Sequence, residues 1–408
     1  MKMKILMLTP YLPYPPSSGG QIRSFNLIKN LSSQCQITLF SLVKSEEEKK
    51  HVEELKKYCQ KIKIFFRSPK PWTLKNILKT GFSRFPFLVI RNLSTEEKKA
   101  IAEELNKEKY DLIHAETFYV MPHIPQTSTP IVLVDQTIEF QVYQHYVESL
   151  NGFFKKLIKP FLYLDVYKIK YWELYFWKKV NKVIAVSEAD KKKMLSLIPD
   201  LSVEVVPNGA GEDLLLAWRG KIPSLEKPII FFQANFDWMQ NIEAAENLIE
   251  KVFPLIRKKI PQATCLIAGQ NVASKIGKVE KPGIRILNLS SSDIEGVIKA
   301  YRSASVFLAP LQGPGGTRLK ILGAMAVGVP VVTTTVGIEG IDARDQKEAL
   351  IADSWEDMAQ KTVEILSDKN LYSQLVKNAR KLVEKKYSYR SISQDLIKIY
   401  QSVIDENR

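Results

Sequence analysis

Short apolar runs recur along the chain and alternate with stretches of helical periodicity. The first run is "KILMLT" (residues 4–9), followed by a Pro/Gly turn, a helix from about Gln21 and a second run, "QITLFSL" (residues 36–42). Further runs are "DLIHA", "PIVLVD", "KVIAVS" and "SVEVVPN". Because these runs are apolar throughout instead of alternating with polar residues, they predict parallel strands that are covered by helices on both faces.

A second series of runs begins after a loop that contains Pro223 and Pro228, with "PIIFFQA", "ATCLIAG", "GIRILNL", "SVFLAPL" and "VPVVTTT". We therefore predict an α/β protein with two Rossmann-like, doubly wound parallel-sheet domains, at residues 1–208 and 209–390. Ligands of such sheets bind at the carboxyl ends of the strands, so two domains that face each other would place their glycine turns in a central cleft. From Trp355 to the last residue, the pattern predicts helices without a strand.

Composition limits the class of protein and of ligand. The chain has 408 residues and a formal net charge of +15, which fits a globular protein with an anionic partner. No zinc-finger or aromatic RNA-binding motif accompanies this charge, so we do not expect nucleic acid to be that partner. Cys35, Cys59 and Cys265 are far apart in sequence, which favours a reducing, cytoplasmic compartment over disulfides or a zinc site. The apolar run Ile5 to Leu8 is too short for a signal peptide or a membrane span.

The stretch "GPGGTRLKILGAMAVGVPVV" has the order of a glycine turn, a helix and a buried strand. Gly315 and Gly316 form the turn, Thr317 is the predicted N-cap, and Arg318 and Lys320 then lie in the first helical turn. Cations at this end oppose the helix macrodipole by about 0.3–1 kcal/mol each, unless a bound anion reverses the penalty. The pattern thus predicts a diphosphate site, with the alternative that both side chains extend into solvent.

A first glycine turn lies in "PYPPSSGGQIRSFN", where Gly19 and Gly20 precede a helix and Arg23 is predicted within its first turn, at the same end. Glycines here would let the backbone approach a ligand closely, with the first free amides of the helix directed at it. The alternative is a rigid, proline-rich loop in which glycine serves only the turn.

Five blocks of sequence, in order, resemble the GT-B glycosyltransferases of the family-4 type, and most of all the bacterial sugar transferases of polysaccharide gene clusters. They are "SGGQIRSFNLIKNLS", "VIAVSEADKKKM", "VPNGA", "FDWMQNIEAAENLIEKVFPLI" and "GPGGTRLKILGAMAVGVPVVTTTVGIEG". The resemblance implies that the second domain binds a nucleotide-diphosphate sugar and that a last helix, at about 391–408, packs back on the first domain. It also implies hexosyl transfer to a glycan or lipid-linked acceptor, with retained anomeric configuration and neither metal nor cofactor.

Several positions depart from the family pattern. Where members commonly carry a Glu-x7-Glu pair, whose second glutamate typically holds the ribose, this chain has Gly315 and Gly323. A glycine inside a helix costs about 1 kcal/mol relative to alanine, so we expect close packing of Gly323 against a ligand or a strand. Glu339, in the following "GIEG", is a candidate to hold the nucleotide instead.

A second departure lies in "VDQTIEFQVYQHY", where the resemblance aligns Gln136 with a histidine that stands beside the transferred sugar. Glutamine exchanges hydrogen bonds but relays no proton near neutral pH. Gln136 and Glu139 are the candidate catalytic residues at the reacting face, with an exposed carboxylate at a helix start as the alternative for Glu139. His114, in "DLIHAE", is expected to be a packed, hydrogen-bonded residue instead of a base.

These substitutions, with Gln233 and Ala234 in place of a common glycine, keep two other functions open. One is a degenerate GT-B subunit that binds a nucleotide or glycan, or supports a partner transferase, without turnover. The other is a nucleotide-sugar epimerase. The chain contains no Asp-x-Asp, so fixed cations and helix amides, instead of a metal, would neutralise the leaving group.

The segment "FFKKLIKPFLYLDVYKIKYWELYFWKKV" is rich in aromatic residues and lysines. This composition is typical of a segment that lies in a membrane interface, and it would bring the protein to the inner face of an anionic membrane. The alternative is a helix that is broken near Pro160, packs on the first domain and extends its lysines into water.

Overall fold

The computed structural model describes residues 2–150, 153–218, 220–277, 279–290, 293–313 and 318–407. These residues divide into two compact units. One unit contains the residues up to Val206 and those from Ser393 onward, and the other contains Pro207–Ile392.

The first unit is built on a seven-stranded sheet in the order β3-β2-β1-β4-β5-β6-β7, with every neighbouring pair parallel. The strands are β1 (Met3–Thr9), β2 (Cys35–Val43), β3 (Lys61–Phe66), β4 (Leu112–Glu116), β5 (Ile131–Asp135), β6 (Lys182–Ala185) and β7 (Val203–Val205). The strand order reverses between β1 and β4. At such a switch point the loops diverge from the carboxyl ends of the two strands and leave room for a ligand.

The helices of this unit cover both faces of the sheet. They are α1 (Gly19–Leu31), α2 (Val52–Leu55), α3 (Leu74–Phe82), α4 (Phe87–Asn92), α5 (Thr95–Lys107), α6 (Glu139–Ser149), α7 (Phe153–Trp177) and α8 (Glu188–Leu197). Helix α7 runs through Pro160 without ending there, so the expected break at this proline is wrong. Its buried side chains include Ile169 and Trp177, which belong to the core.

The second unit contains a six-stranded sheet in the order β10-β9-β8-β11-β12-β13, again parallel throughout. The strands are β8 (Ile229–Asn235), β9 (Thr264–Gln270), β10 (Ile284–Asn288), β11 (Val306–Ala309), β12 (Val331–Thr333) and β13 (Leu350–Ile351). The order reverses between β8 and β11, which makes their carboxyl ends the switch point of this sheet.

Helices surround the second sheet and form the end of the chain. They are α9 (Glu212–Leu216), α10 (Met239–Asn247), α11 (Phe253–Lys259), α12 (Val272–Ile276), α13 (Ile294–Ser303), α14 (Leu319–Val327), α15 (Thr335–Ile338), α16 (Trp355–Ser367) and α17 (Lys369–Leu382), followed by α18 (Tyr389–Glu406). Short π-helical turns, Leu248–Val252 and Val383–Tyr387, extend α10 and α17.

The predicted pair of doubly wound parallel sheets is confirmed, and two strands were not predicted. Strand β3 lies at a sheet edge, and its "KIKIFF" alternates lysine with apolar residues because it is only partly covered. Strand β13 has two residues, too few for a periodic pattern. Both omissions concern edge strands, whose apolar signal is weaker than that of a strand buried on both faces.

Candidate functional site

In the second unit, the predicted phosphate-binding helix is α14, which follows β11 at the switch point of the sheet. The helix begins at Leu319, so Arg318 occupies the N-cap position instead of the predicted first turn, and Lys320 lies within that turn. Gly315, Gly316 and Thr317 lie outside the described residues. No acidic side chain lies in the first turn of α14, which leaves its positive end to these two cations.

Lys320 lies in a site that is mostly shielded from water. Its ammonium donates a hydrogen bond to Asn241 Oδ1 and lies 5.2 Å from the centre of the Phe232 ring. Burial, reinforced by the neighbouring charge of Arg318, lowers the pKa of Lys320 to about 7. Since neither Asn241 nor Phe232 carries a charge, an anion bound at this end of α14 would stabilise the protonated lysine.

Arg318 is buried, and its Nη2 donates to the Gly313 carbonyl at 2.6 Å. Burial lowers the pKa of the Arg318 guanidinium, and the charge of Glu339 acts in the opposite direction. Glu339 follows α15 directly and is exposed. Arg318 and Glu339, both predicted as site residues, therefore interact electrostatically. Both lie in the second unit, as does Lys320.

Gly323 lies one helical turn after Lys320, where the side chains of two other helices meet α14. A Cβ atom at Gly323 would lie 2.9 Å from Leu214 Cδ1 and 3.2 Å from the Tyr301 hydroxyl. That hydroxyl donates to the Lys320 carbonyl at 3.0 Å, and Gln233 Oε1 lies 3.3 Å from it. The close packing expected at Gly323 is present, but its partners are side chains of α9 and α13 instead of a strand.

In the first unit, Gln136 joins a polar network at the carboxyl ends of the strands. Its Nε2 donates to Glu116 Oε2 at 2.7 Å and to the Tyr11 hydroxyl at 3.1 Å. Glu116 ends β4, and Tyr11 follows β1, so the network spans the switch point of this sheet. Burial opposes ionisation of Glu116, but the hydrogen bonds from His114 and Gln136 and the charge of Arg23 hold its pKa below the usual value.

His114 connects this network to the C-terminal helix. Its Nε2 lies 3.1 Å from Glu116 Oε1, and its Nδ1 is hydrogen-bonded to the Tyr400 hydroxyl of α18. A proton on Nε2 satisfies the carboxylate, and Nδ1 then accepts from the phenol. His114 is fully buried, which confirms the expectation of a packed, hydrogen-bonded residue.

The residues of the first glycine turn have separate environments. Arg23 lies in the second turn of α1 instead of the predicted first turn, because the helix begins at Gly19. It is fully buried, with Nη1 donating to the Val206 carbonyl at 3.1 Å and Nε 4.0 Å from Glu116. Gly19 and Gly20 are the first two residues of α1 instead of a turn before it, so the predicted position of this turn is wrong, and Gly19 is exposed. A Cβ atom at Gly20 would collide with the Tyr11 ring, so the absence of a side chain there allows Tyr11 to reach Gln136.

Glu139 begins α6, among carboxyl groups of two other elements. Its backbone N–H donates to Glu173 Oε1 at 2.8 Å, so buried Glu173 of α7 caps this helix. Burial raises the pKa of Glu139 to about 7, and the charge of Asp135 adds to the shift. Burial raises the pKa of Asp135 to about 7 as well, against a hydrogen bond from Trp177. The structure thus places Glu139 in a local environment that disfavours its ionised form.

Comparison with known families covers most of the chain in two parts. Residues 17–213 match the family described as "Glycosyltransferase Family 4", and residues 227–368 match "Glycosyl transferases group 1". The chain belongs to the family-4 type of GT-B glycosyltransferases.

A relative of this glycosyltransferase is an uncharacterized 44.6 kDa protein in the cps region of Klebsiella pneumoniae. The two are 23% identical over 99% of this chain and 100% of the relative. Among solved structures, sucrose-phosphate synthase from Thermosynechococcus elongatus is similar with a TM-score of 0.69 at 15% identity, over 99% of this chain and 100% of the other. HepE from Anabaena, crystallised with UDP-glucose, gives a TM-score of 0.59 at 14% identity, over 98% and 100% of the two chains.

Sequence reasoning about this glycosyltransferase missed the partners of its candidate residues. The sequence did not single out four residues that contact the candidate positions, namely Tyr11, Glu116, Asn241 and Tyr301. A usable signal existed for Glu116, since it is a charged residue at the end of a buried strand, where ligand-binding groups of such sheets lie. None of the helices in the described part of the chain combines the length and apolarity that crossing a bilayer requires.

Proposed function

We propose that this glycosyltransferase moves a hexosyl group from a nucleotide-diphosphate sugar to a hydroxyl of a glycan or lipid-linked acceptor, in cell-surface polysaccharide biosynthesis. The observation that carries the proposal is Lys320 at the amino end of α14, with Arg318 beside it at the switch point of the second sheet. A helix N-terminus and two cations are the groups that stabilise a diphosphate. The cps-region relative and the UDP-glucose complex of HepE support the pathway and the class of donor.

In this reaction the acceptor oxygen forms a bond to C1 of the sugar while the bond from C1 to the diphosphate oxygen breaks. The acceptor proton passes to the departing diphosphate, and the anomeric configuration is retained. Lys320 and Arg318 stabilise the charge that develops on the leaving group, which is the task a metal ion performs in other transferases. No metal or cofactor takes part in the proposed mechanism.

In the first unit, Gln136 and Glu139 are proposed to contact the reacting sugar or the acceptor. Gln136 is oriented by Glu116, which accepts its amide proton at 2.7 Å. This arrangement leaves the Gln136 carbonyl oxygen to accept from a sugar hydroxyl. Glu139, with a pKa of about 7, exists partly as the acid at neutral pH and can then donate a hydrogen bond as well as accept one.

The protein is proposed to work in the cytoplasm, at the inner face of an anionic membrane that carries the lipid-linked acceptor. The lysine-rich and aromatic α7 supports this location, because Phe161, Leu164, Tyr167 and Tyr171 are exposed along one side of the helix. Aromatic residues and lysines together are typical of a membrane interface.

The test is release of nucleotide from a panel of UDP-, GDP- and ADP-linked hexoses, with and without a chelator. We expect turnover with one donor class, no effect of the chelator and a product of unchanged anomeric configuration by NMR. Lys320→Ala should lower nucleotide affinity at least tenfold, the loss of one charge-assisted hydrogen bond of about 1.5–3 kcal/mol. Lys258→Ala, an exposed lysine of α11, is the matched control.

Two other outcomes would replace the proposal. Nucleotide binding without turnover of any donor would identify a binding subunit that has lost catalysis. Conversion of a donor into its epimer, without any acceptor, would identify an epimerase.

A further inference from the structure

Three cations lie at the carboxyl edge of the first sheet, beside the polar network of Gln136 but outside it. Lys44 directly follows β2, Arg67 directly follows β3, and Arg91 lies near the end of α4. The strands β2 and β3 are parallel neighbours, so the two loops that follow them begin side by side. The Ser68 amide donates to the Arg91 carbonyl at 3.3 Å, which ties α4 to the same edge. These three residues, Lys44, Arg67 and Arg91, are called the cation cluster below.

Both arginines of the cation cluster have a hydrogen-bond donor without an acceptor. Arg67 is half-buried, and its Nη1 donates to Asn92 Oδ1 at 2.7 Å. Its Nε is buried and has no hydrogen-bond partner among the described residues, and the same is true of Arg91 Nε. Buried donors of folded proteins are ordinarily paired, so two unpaired guanidinium nitrogens in one place indicate a site for an acceptor.

The geometry of the guanidinium indicates which acceptor fits. In arginine, Nε and Nη2 form an edge that binds a carboxylate or a phosphate through two parallel hydrogen bonds. Since the contact with Asn92 uses Nη1, it fixes the plane of the Arg67 guanidinium and leaves this edge to an oxyanion. Lys44 is exposed, so a ligand from solution can reach the cluster.

The cation cluster carries more positive charge than its surroundings offset. Burial lowers the pKa of the Arg67 guanidinium, and the charge of Arg91 adds to the shift. Partial desolvation lowers the pKa of Lys44 as well, again with contributions from both arginines. Glu48, whose carboxylate accepts the Lys44 amide at 3.2 Å, acts in the opposite direction on both residues. Because Glu48 offsets one charge of three, a bound oxyanion would stabilise the cluster further.

The cation cluster borders the residues that the proposed function places at the reacting face. Burial raises the pKa of Glu139, and the charge of Arg91 opposes this rise, so the two side chains lie within electrostatic range. Tyr11 acts on the pKa of Arg67 in the direction opposite to burial, and its hydroxyl accepts from Gln136 at 3.1 Å. A molecule that holds its anion on the cluster therefore has its next atoms beside Gln136 and Glu139.

We infer that the cation cluster binds an oxyanion of the acceptor, a phosphate or a carboxylate, and so selects an acidic acceptor over a neutral sugar. The free edge of Arg67 takes two oxygens of the anion, and Arg91 and Lys44 neutralise its remaining charge. The anion stays on the acceptor throughout, because the bond that forms is to an acceptor hydroxyl. The inference rests on the proposed function, since it names the class of acceptor for that transfer.

The test is calorimetric binding of four probes to the full-length protein at constant ionic strength, namely glucose, glucuronate, glucose 1-phosphate and geranyl phosphate. Glucuronate and glucose 1-phosphate compare the two oxyanions on one sugar, and geranyl phosphate presents the phosphate on a lipid. We expect at least one anionic probe to bind at least about tenfold more tightly than glucose, and the probe that does so identifies the source of the oxyanion.

Variants of the cation cluster assign that binding to its residues. Arg67→Gln with Arg91→Gln should weaken the anionic probe by about tenfold or more, through loss of charge-assisted hydrogen bonds. Arg285→Gln with Arg302→Gln, at exposed positions of the second unit, is the matched control and should bind like wild type.

Arg91→Gln alone keeps the inference testable if the double variant fails to fold. It removes a charge that repels Arg67, so its melting temperature should equal or exceed that of wild type while probe binding weakens. A residue with a merely structural role would instead lower the melting temperature when it is replaced. Far-ultraviolet circular dichroism establishes that each variant is folded.

Three results would overturn the inference. One is binding of every anionic probe no tighter than that of glucose. Another is binding of the anionic probe that the cation-cluster variants retain in full. The third is loss of that binding in Lys320→Ala, which would assign the probe to the diphosphate site of the second unit. Nucleotide release from the donor is measured separately, so a failure of the proposed transferase activity is distinguished from a failure of anion binding.

Discussion

The Tyr301 hydroxyl of α13 lies 3.2 Å from the position that a Cβ atom of Gly323 would occupy on α14. The same hydroxyl donates to the Lys320 carbonyl, so it is fixed within the first turns of the phosphate-site helix. Where the family resemblance aligns a ribose-holding glutamate, this protein has a glycine whose side-chain space is taken by a tyrosine. Under the proposed function, other groups then hold the nucleotide, and Lys320 and Arg318 are the candidates nearest along the helix.

We predict that Gly323→Glu lowers the free energy of unfolding by about 1–3 kcal/mol, because the new side chain is forced against Tyr301 and Leu214. Gly323→Ala should bring no gain, although alanine favours helix by up to about 1 kcal/mol. The matched control is Gly81→Ala in α3, which has no atom within 4 Å of the new methyl group and should be stabilising. Urea denaturation checks all three variants. A Gly323→Glu protein as stable as wild type, with tighter nucleotide binding, would show that the space is open.

We predict that Lys320 makes nucleotide binding dependent on pH. With a pKa of about 7, the lysine is charged below pH 7 and largely neutral above it, whereas a bound diphosphate stabilises the charged form. Affinity should therefore fall as pH rises above 7, and binding at pH 8 should take up close to one proton. Calorimetry in two buffers of different ionisation enthalpy measures this uptake. Lys320→Arg, whose charge is permanent, should abolish it. Equal proton uptake by the arginine variant would assign the effect to another group.

Gln136 is predicted to contribute to stability as well as to the site. Gln136→Leu removes the donor to the buried Glu116 carboxylate and should cost about 1–3 kcal/mol of unfolding free energy. Gln136→His keeps an N–H donor and should cost less. Chemical denaturation measures both variants, and glycosyl transfer measured alongside should fall in the same order. Unchanged stability in Gln136→Leu would show that Glu116 is satisfied without this residue.

We predict that Glu139 makes the free energy of unfolding fall as pH rises through a defined window. Its folded pKa of about 7 lies above the ordinary value of 4.5, so the folded state binds more protons than the unfolded state between these values. The contribution of Glu139 to the free energy of unfolding is fully present below pH 4.5 and is lost as pH rises through 7. Glu139→Gln should therefore be more stable than wild type at pH 8, on the order of 1 kcal/mol, and similar to it near pH 4.5. Glu103→Gln, at an exposed position of α5, controls for loss of a surface charge. A pH-independent difference between Glu139→Gln and wild type would contradict the prediction.

The sequence alone determined the fold of the two parallel-sheet units. Strands buried on both faces, such as β1 and β8, appear as unbroken apolar runs in the sequence. This pattern is local, so it can be recognised without knowledge of the tertiary structure. It also placed Lys320 at the beginning of a helix after a strand, which is enough to predict an anion site.

Only the tertiary structure decided what each candidate side chain contacts. Tyr301 fills the space at Gly323 although 22 positions separate the two in sequence, and Gln136 meets Tyr11 across 125 positions. Likewise, the helical period of α3 identifies an apolar face but not its direction, which depends on the buried contacts of Asn76. Periodicity shows which residues share a face of a helix or strand. The residues that contact that face are determined by strand order and helix packing, which bring distant parts of the chain together.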